Sequence, residues 1–312
     1  MSLRGEIMVV ESGIIVLNKE KNMTSHDCVN IVRKALKIKR VGHTGTLDPM
    51  ATGVLPICIG KATKIADYIS LGDKEYVAQF KLGIKTDTLD ITGTVLETSD
   101  KNPTKEEIID AVNSFTGVID QVPPMYSAKK IQGKKLYELA REGIEIDREP
   151  VKVEIKKIDI LELDYEEKLI TIKVLCSKGT YIRSLIDDIG NKLGTFAVMT
   201  ELERTKSGMF DIENEKIVPV MDIKKGTADP IKGLIPVDKI FFNYPKIILP
   251  YNLEVRFKNG IFITLNDLGK RISDVSEDDI FRVYSTVGEF LALGVMIEDN
   301  GRLVLKVLKS FY

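Results

Sequence analysis

The chain has 312 residues, of which 44% are hydrophobic and 29% charged, with a formal net charge of -1. A chain of this size buries a substantial core, and no segment approaches the roughly 20 consecutive apolar residues of a membrane helix. The opening "MSLRGEIMVVES" lacks a secretory leader pattern, so we expect a cytoplasmic protein. Two histidines and three widely separated cysteines predict neither a metal site nor a disulfide framework.

The first predicted elements are a short apolar strand, a loop and a helix, in "GIIVLNKEKNMTSHDCVNIVRKALK". Thr24 and Asp27 form a capping-box pattern, which marks where the helix begins. Val29, Val32 and Leu36 recur at helical spacing, so we expect them on one buried face.

The next segment, "GHTGTLDPMATG" (42–53), presents one carboxylate, that of Asp48, among small and turn-forming residues. An aspartate before a proline is a good helix cap, so one interpretation is a capped turn. The other is a rigidly held carboxylate for catalysis at a sugar carbon. Gly42, Gly45 and Gly53 would let the backbone come close to a ligand, which favours catalysis.

Further along the chain, hydrophobic alternation in "YVAQFKLG" predicts a strand that carries Tyr76. The pattern of "PTKEEIIDAVNSFTG" predicts an amphipathic helix with proline just inside its start and glycine at its end. A short helix, "LYELAREG", and two strands, "VKVEIKKIDILELDY" and "KLITIKVLCS", follow. The stripe of apolar residues in "KGTYIRSLIDDIGNKLG" predicts a helix that ends at Gly194.

Arg183 lies in the first turn of that last helix, where a cation opposes the helix dipole. It could simply pair with Asp187 on a solvent-exposed face. The unfavourable position indicates an anionic partner elsewhere, and Asp48 is a candidate. Tyr76 and Tyr181 are either packing residues or platforms on which a base stacks.

Two basic runs, residues 33–40 and 129–135, flank the glycine-rich loops. Each is either a solvated surface or a contact for nucleic-acid phosphates. Beyond about residue 245, "VRFKNGIFI" and "IEDNGRLVL" carry Asn-Gly turns between apolar runs, which predict hairpins in a small all-β module.

Six blocks of this sequence resemble, in order, the bacterial tRNA pseudouridine synthase B (TruB) family. They cover almost all of the chain up to Gly208. The looser match is the β-rich tail, which resembles the PUA module of these enzymes. The blocks are "MTSHD", "KRVGHTGTLDPMATGVLPICIGKATK", "GDKEYVAQFKLGIKTDTLDITG", "QVPPMYSAKKIQGKKLYELAREG", "CSKGTYIRSLIDDIGNKLG" and "ELERTKSG".

The resemblance implies an α+β pseudouridine-synthase fold, with a mixed, mainly antiparallel central sheet flanked by helices and loops. It implies a catalytic domain over residues 8–240 with an RNA-binding insertion at about 120–150. A small β-barrel-like PUA domain would cover residues 245–312.

The implied function is the isomerisation of uridine 55 in the T loop of tRNA to pseudouridine. The base flips out, the N1–C1′ bond breaks, and the base is reattached through C5. Neither a cofactor nor a metal is implied. The expected partner is tRNA, through its T arm and with the acceptor end as a candidate contact of the C-terminal domain. We expect a monomer without a protein partner.

The resemblance also implies roles for individual residues. Asp48 is the catalytic aspartate, which acts on the ribose C1′ or removes the 2′ proton, and Arg183 pairs with it. Tyr76 stacks on the target base and is a candidate for handling the C5 proton. His43 fills or braces the gap that the flipped uridine leaves.

Three further residues are implied to bind the substrate. Tyr181 and Leu202 line the base pocket, and Lys19 lies near the site. The family usually has a proline and a glycine after that lysine, where this chain has Glu20 and Asn22.

Two alternatives remain open at the level of sequence. The chain could be the catalytic subunit of a guide-RNA-dependent particle, although the "QVPPMYSAKKIQGKK" insertion favours an enzyme that acts alone. It could also be a non-catalytic RNA-binding or RNA-folding protein, which the presence of Asp48, Tyr76 and Arg183 argues against.

Overall fold

The computed structural model describes residues 12–131, 133–213, 216–269 and 275–312. These residues form two compact units. The larger comprises residues 15–57 and 65–233, and the smaller comprises 12–14, 58–64 and the described part of 234–312. The predicted domain start at residue 8 lies outside the described residues. The predicted division at 240–245 and the insertion at about 120–150 stay predictions.

The described strands up to residue 236 follow one another along the chain as β1 (Gly13–Lys19), β2 (Val41–His43), β3 (Thr52–Ile59), β4 (Lys74–Leu82), β5 (Ile84–Thr86), β6 (Val95–Thr98), β7 (Gly117–Gln121), β8 (Lys130–Ile131), β9 (Lys134–Lys135), β10 (Val151–Asp164), β11 (Leu169–Cys176), β12 (Ala197–Ser207), β13 (Phe210–Asp211), β14 (Val218–Pro219) and β15 (Ile235–Pro236).

The α-helices in the same part of the chain are mostly short. They are α1 (Ser25–Leu36), α2 (Ala66–Ser70), α3 (Lys105–Asn113), α4 (Leu136–Arg141), α5 (Ile182–Leu193) and α6 (Val220–Lys225).

The large sheet has the strand order β14-β1-β3-β12-β4-β11-β10-β7. Strand β4 lies near its middle and pairs antiparallel with both β11 and β12. The β12–β3 and β1–β14 pairs are parallel. The sheet is therefore mixed and mainly antiparallel, which confirms the predicted α+β fold class.

Local sequence signals set the ends of the two helices that flank the site. Helix α1 begins at the predicted capping box, in which Thr24 and Asp27 satisfy each other's backbone N–H groups. Helix α5 ends at Gly194, whose φ of 66° is the left-handed conformation that glycine adopts without strain. Its buried stripe, which includes Leu185, Ile186 and Ile189, packs towards the sheet strand β12.

Two of the helix predictions need correction in detail. Helix α3 starts after the cap Thr104, so Pro103 precedes the helix rather than standing inside its start. Gly117, predicted to end this helix, instead begins strand β7. The Asp48 segment does form a turn, as one interpretation of the sequence predicted: the Asp48 carbonyl accepts the Ala51 N–H at 3.0 Å.

The described residues of the smaller unit form three short α-helices and a five-stranded sheet curled into a half-barrel, in the order β16-β18-β19-β20-β17. Leu253 and Phe257, from its helix α8, are buried in the core of this unit. The elements are α7 (Val237–Ile240), β16 (Lys246–Leu249), α8 (Tyr251–Lys258), β17 (Ile263–Thr264), α9 (Leu265–Leu268), β18 (Ile280–Ser285), β19 (Phe290–Asp299) and β20 (Arg302–Ser310).

The all-β prediction for this module is therefore wrong. The Asn-Gly pair of "VRFKNGIFI" follows the end of α8 and does not join two strands of a hairpin. The same dipeptide ends helices as readily as it turns strands, because glycine accepts a positive φ in both places. The hairpin predicted in "IEDNGRLVL" is confirmed as β19–β20, and β18 and β19 form a further antiparallel pair.

Within the described residues, no helix is both long enough and apolar enough to cross a membrane.

The capping box of α3 gives a direct test of this local account. Thr104 Oγ1 accepts the Glu107 N–H at 3.2 Å, and Glu107 Oε2 accepts the Thr104 N–H at 2.7 Å. Thr104→Ala should lower the free energy of unfolding by about 1 kcal/mol, because one N–H at the helix start loses its partner. Denaturant unfolding measures the change. Thr104→Ser keeps the hydroxyl and should restore most of the loss; equal losses in both variants would contradict the capping account.

Candidate active site

Asp48 and Arg183 form a two-pronged ion pair in the larger unit. Arg183 Nε lies 2.9 Å from Asp48 Oδ2, and Arg183 Nη2 donates to Asp48 Oδ1 at 3.1 Å. The arginine side chain is 5% exposed and the aspartate side chain 31%. The predicted pairing is confirmed, and it leaves the carboxylate accessible while its partner is enclosed.

The remaining donors of Arg183 hold the backbone of two other segments. Nη1 donates to the Thr88 carbonyl at 2.8 Å, and Nη2 donates to the Tyr126 carbonyl at 2.9 Å. A guanidinium offers five N–H donors in a rigid plane, so one side chain can fix several acceptors at once. Arg183 therefore links the Asp48 loop, the turn after β5 and the loop after β7.

A second carboxylate, that of Asp90, lies beside this arginine. Its Oδ2 is 3.8 Å from Arg183 Nη1, and the residue is buried. Its Oδ1 accepts the hydroxyl of Thr88 at 2.9 Å and both the N–H and the hydroxyl of Thr92, at 3.0 and 2.5 Å. Two acidic groups thus compensate a desolvated cation at the N-terminus of α5, where the helix dipole is unfavourable.

Ser25 holds the loop that carries Asp48 through two hydrogen bonds to the backbone of Leu47. The Ser25 hydroxyl donates to the Leu47 carbonyl at 3.1 Å and accepts the Leu47 N–H at 2.8 Å. Both groups are buried. The hydroxyl is thus the partner of both backbone groups of the residue that precedes Asp48.

Lys19 holds the other side of the same loop. Its ammonium donates to the carbonyls of Glu20, Met23 and Pro49, at 3.0, 2.8 and 3.2 Å, and the residue is fully buried. Burial lowers the pKa of Lys19 to about 8, with the nearby charge of Asp48 acting in the opposite direction. In this structure the side chain braces the turn at Pro49; the substrate contact that the resemblance implies stays a prediction.

Tyr76 lies on the central strand β4, with Val174 of β11 on one side and Arg204 of β12 on the other. Burial raises the pKa of its phenol, while the guanidinium of Arg204 acts to lower it. The negative charge of Asp48 acts in the same direction as burial and raises this pKa.

The other predicted site residues lie on three different elements. His43 ends strand β2 and is half-buried, and burial followed by the charge of Arg204 lowers its pKa. Tyr181 caps α5, where the Gln121 side chain bonds both its N–H and its carbonyl, at 2.8 and 3.0 Å. Leu202 is buried on β12.

The structure needs a glycine at position 53 for the packing of two strands, and not for the predicted approach of a ligand. The φ of Gly53 is 100°, and a Cβ there would lie 2.3 Å from the carbonyl oxygen of Arg204. The glycine thus allows β3 and β12 to come together. No described atom lies within 4 Å of a Cβ at Gly42, so that glycine leaves open space.

Reasoning from the sequence missed Ser25, Asp90 and Arg204. Each is buried, and each belongs to a block that the resemblance rests on. The only signal was a polar residue within a motif, which did not reveal its partner on a distant segment. Within the described part of the chain, no group of three or more His, Cys, Asp or Glu side chains is arranged to hold a metal.

The sequence of this chain matches two family models over adjacent ranges. The model for the "TruB family pseudouridylate synthase (N terminal domain)" matches residues 33–182, and that for the "tRNA pseudouridylate synthase B C-terminal domain" matches 183–240. A relative from Clostridium tetani named tRNA pseudouridine synthase B is 46% identical over 94% of this chain and 98% of its own. The chain belongs to the TruB family.

Other relatives and solved structures agree with that assignment. A protein of the same name from Clostridium kluyveri is 43% identical over 96% of this chain and 99% of its own. Among solved structures, a chain of a Cbf5-Nop10-Gar1 complex has a TM-score of 0.69 and 27% identity, covering 98% of this TruB-family chain and 87% of that chain. A chain of an H/ACA RNP bound to a substrate RNA containing 2'-deoxyuridine has a TM-score of 0.67 and 25% identity, covering 97% and 86%.

Removing the Ser25 hydroxyl tests how the loop is held. Ser25→Ala leaves the buried N–H and carbonyl of Leu47 without that partner, so the free energy of unfolding should fall by about 1–3 kcal/mol. The matched control is Ser70→Ala, which removes a more exposed hydroxyl that bonds the Asp67 carbonyl. Denaturant melts of both variants measure the difference; equal stability of the two would contradict the proposed hold on Leu47.

Because the pKa of Lys19 is lowered in the folded chain, its contribution to the free energy of unfolding should rise with pH. The folded chain releases this proton near pH 8, whereas an unperturbed lysine keeps it to about 10.5. From pH 7 to pH 9 the unfolded state therefore binds more protons, and the contribution of Lys19 to the free energy of unfolding rises.

The test compares the wild-type chain with Lys19→Met by denaturant unfolding at several pH values in that window. The stability of the wild type relative to the variant should increase with pH. A difference that stays constant or shrinks would show that burial does not depress the pKa of Lys19.

Proposed function

We propose that this protein converts a uridine in the T loop of tRNA, uridine 55, to pseudouridine. The observation that carries the proposal is the enclosed Arg183 that holds a partly exposed Asp48 carboxylate by two contacts, at 2.9 and 3.1 Å. The relatives named tRNA pseudouridine synthase B support the choice of substrate. A tRNA substrate also implies that the protein works in the cytoplasm.

The reaction detaches uracil at N1 and reattaches it at C5. The N1–C1′ bond breaks, the base turns, the C5–C1′ bond forms, and the C5 proton leaves while N1 gains a proton. The product is an isomer, so neither an oxidant nor a reductant is consumed. The protein must supply a carboxylate at the ribose, a grip on the loose base and an acceptor for the C5 proton.

Asp48 is proposed to act at the ribose, either at C1′ or on the 2′ proton. Arg183 fixes the orientation of its carboxylate, because a two-pronged contact restricts rotation as well as position. Tyr76 stacks on the base and is the candidate for handling the C5 proton. Tyr181 and Leu202 are proposed to line the base pocket.

Extracting the uridine from its stack costs a few kcal/mol, which contacts to the RNA must offset. His43, at the edge of the Asp48 loop, is proposed to fill the vacated space. Phosphate contacts are proposed for two basic segments. Lys34, Lys37, Lys39 and Arg40 are exposed at the end of α1 and just beyond it, and Lys130 and Lys134 are exposed on the β8–β9 hairpin.

The C-terminal module is proposed to add affinity for tRNA, with the acceptor end as its contact. The second candidate function is that of the catalytic subunit of a guide-RNA-dependent particle. The similarity to the Cbf5-Nop10-Gar1 structure favours it, at 27% identity. The relatives from Clostridium are 43–46% identical over nearly their full length, which favours the tRNA enzyme.

Asp48→Asn tests the chemical step. A T-arm minihelix that carries tritium at uridine C5 releases tritium to water only when the base is reattached through C5. The wild-type protein should release it, and Asp48→Asn should release none, because the amide has no charge to supply at the ribose. RNA affinity should change little, since Asp48 is proposed to act at the ribose and the phosphate contacts are proposed for other segments. Full turnover by Asp48→Asn would overturn the assignment.

Asp90→Asn serves as a comparison in the same assay. It removes one of the two charges near Arg183 but leaves the contacts between Arg183 and Asp48 in place. We therefore expect reduced release of tritium rather than none.

A further inference from the structure

Arg204 is among the largest fully buried side chains of the described residues, with 1% exposure. Unlike Arg183, it forms no ion pair with a carboxylate among the residues that the structure describes. A buried cation is costly unless hydrogen bonds compensate it. A methionine would fill a similar space without that cost, so the charge needs an explanation beyond packing.

The acceptors of Arg204 are backbone carbonyls on both sides of Asp48. Its Nε donates to the Val54 carbonyl at 2.8 Å, and its Nη2 donates to the Gly45 carbonyl at 3.3 Å. A third, longer contact joins Nη1 to the Thr46 carbonyl at 3.5 Å. One side chain therefore holds the start of the Asp48 loop against the strand that follows it.

Arg204 also stands directly opposite Tyr76 in the sheet. The two residues are direct cross-strand partners on β12 and β4. Burial raises the pKa of the Tyr76 phenol, whereas the charge of Arg204 and hydrogen bonding from it act to lower this pKa. Arg204 thus bonds the Asp48 loop and is the cross-strand neighbour of Tyr76, and it lies inside the protein.

We propose that Arg204 is a positioning residue that fixes the Asp48 loop and the strand position of Tyr76 in one frame. It does not contact the substrate, because it is enclosed. This role rests on the proposed function for its kinetic consequence. Its structural part, the link between the Asp48 loop and the strand position opposite Tyr76, stands on the hydrogen bonds and the strand pairing.

A first measurement tests the link in the RNA-free protein. Tyrosine labelled with ¹³C at Cζ gives one NMR signal per residue, and the signal of Tyr76 is the one that Tyr76→Phe removes. Arg204→Met should shift this signal, because the phenol loses a charged neighbour. The control is Lys101→Met, which removes a cation that donates to the Leu193 carbonyl at 2.7 Å, and it should leave the signal in place. An unmoved signal in folded Arg204→Met would overturn the proposal.

A second measurement tests the kinetic role with a T-arm minihelix under single-turnover conditions at saturating protein. Arg204→Met should slow the reaction by about 100-fold, as small misplacements of reacting groups do. RNA affinity should stay within about twofold, and Arg204→Lys should recover part of the rate. A rate equal to that of Lys101→Met would overturn the role.

The two measurements distinguish failure of the proposed function from failure of the role of Arg204. A second variant covers the case in which Arg204→Met does not fold. If the wild-type protein forms no pseudouridine, the proposed function fails, while the NMR shift still decides whether Arg204 acts on Tyr76. If Arg204→Met does not fold, Arg204→Gln, which removes the charge but keeps a polar side chain, takes its place in the NMR experiment. A shifted Tyr76 signal there supports the link, and an unshifted one contradicts it.

Discussion

The ion pair between Asp48 and Arg183 is the constraint on which the site depends. Arg183 is enclosed at the start of a helix, where both desolvation and the helix dipole disfavour a cation. It is stable there only because Asp48, Asp90 and two backbone carbonyls surround it. Segments that are far apart in the chain must therefore converge before the arginine can be buried. The packing that buries Arg183 therefore also orients the Asp48 carboxylate.

A second set of contacts holds the Asp48 loop from the side away from solvent. Ser25 bonds Leu47, Lys19 bonds the Pro49 carbonyl, and Arg204 bonds the carbonyls at residues 45 and 54. All three side chains are buried. The loop lies at the surface but is supported as firmly as a core element, which leaves the carboxylate exposed in a fixed direction. Such preorganisation suits a reaction in which the protein must wait for a base to be extracted from its stack.

Local signals allowed much of this to be predicted from the sequence. The capping box at Thr24, the glycine after α5 and the alternation in β4 depend on neighbours in the chain, so their letters are sufficient. The position of Arg183 also predicted an anionic partner, which the structure provides. Ser25 and Arg204 could not be assigned, because their partners are set by which distant segments pack together. The helix α8 was missed because an Asn-Gly pair fits both a helix end and a hairpin.

The central claim is that this site, acting alone, modifies one uridine in the T loop of tRNA. The most direct test is to incubate unmodified tRNA with the purified protein, without any guide RNA, and to map every pseudouridine along the RNA. A single new pseudouridine at position 55 is the predicted result. Absence of pseudouridine, modification at unrelated positions, or modification that requires an added guide RNA would contradict the claim.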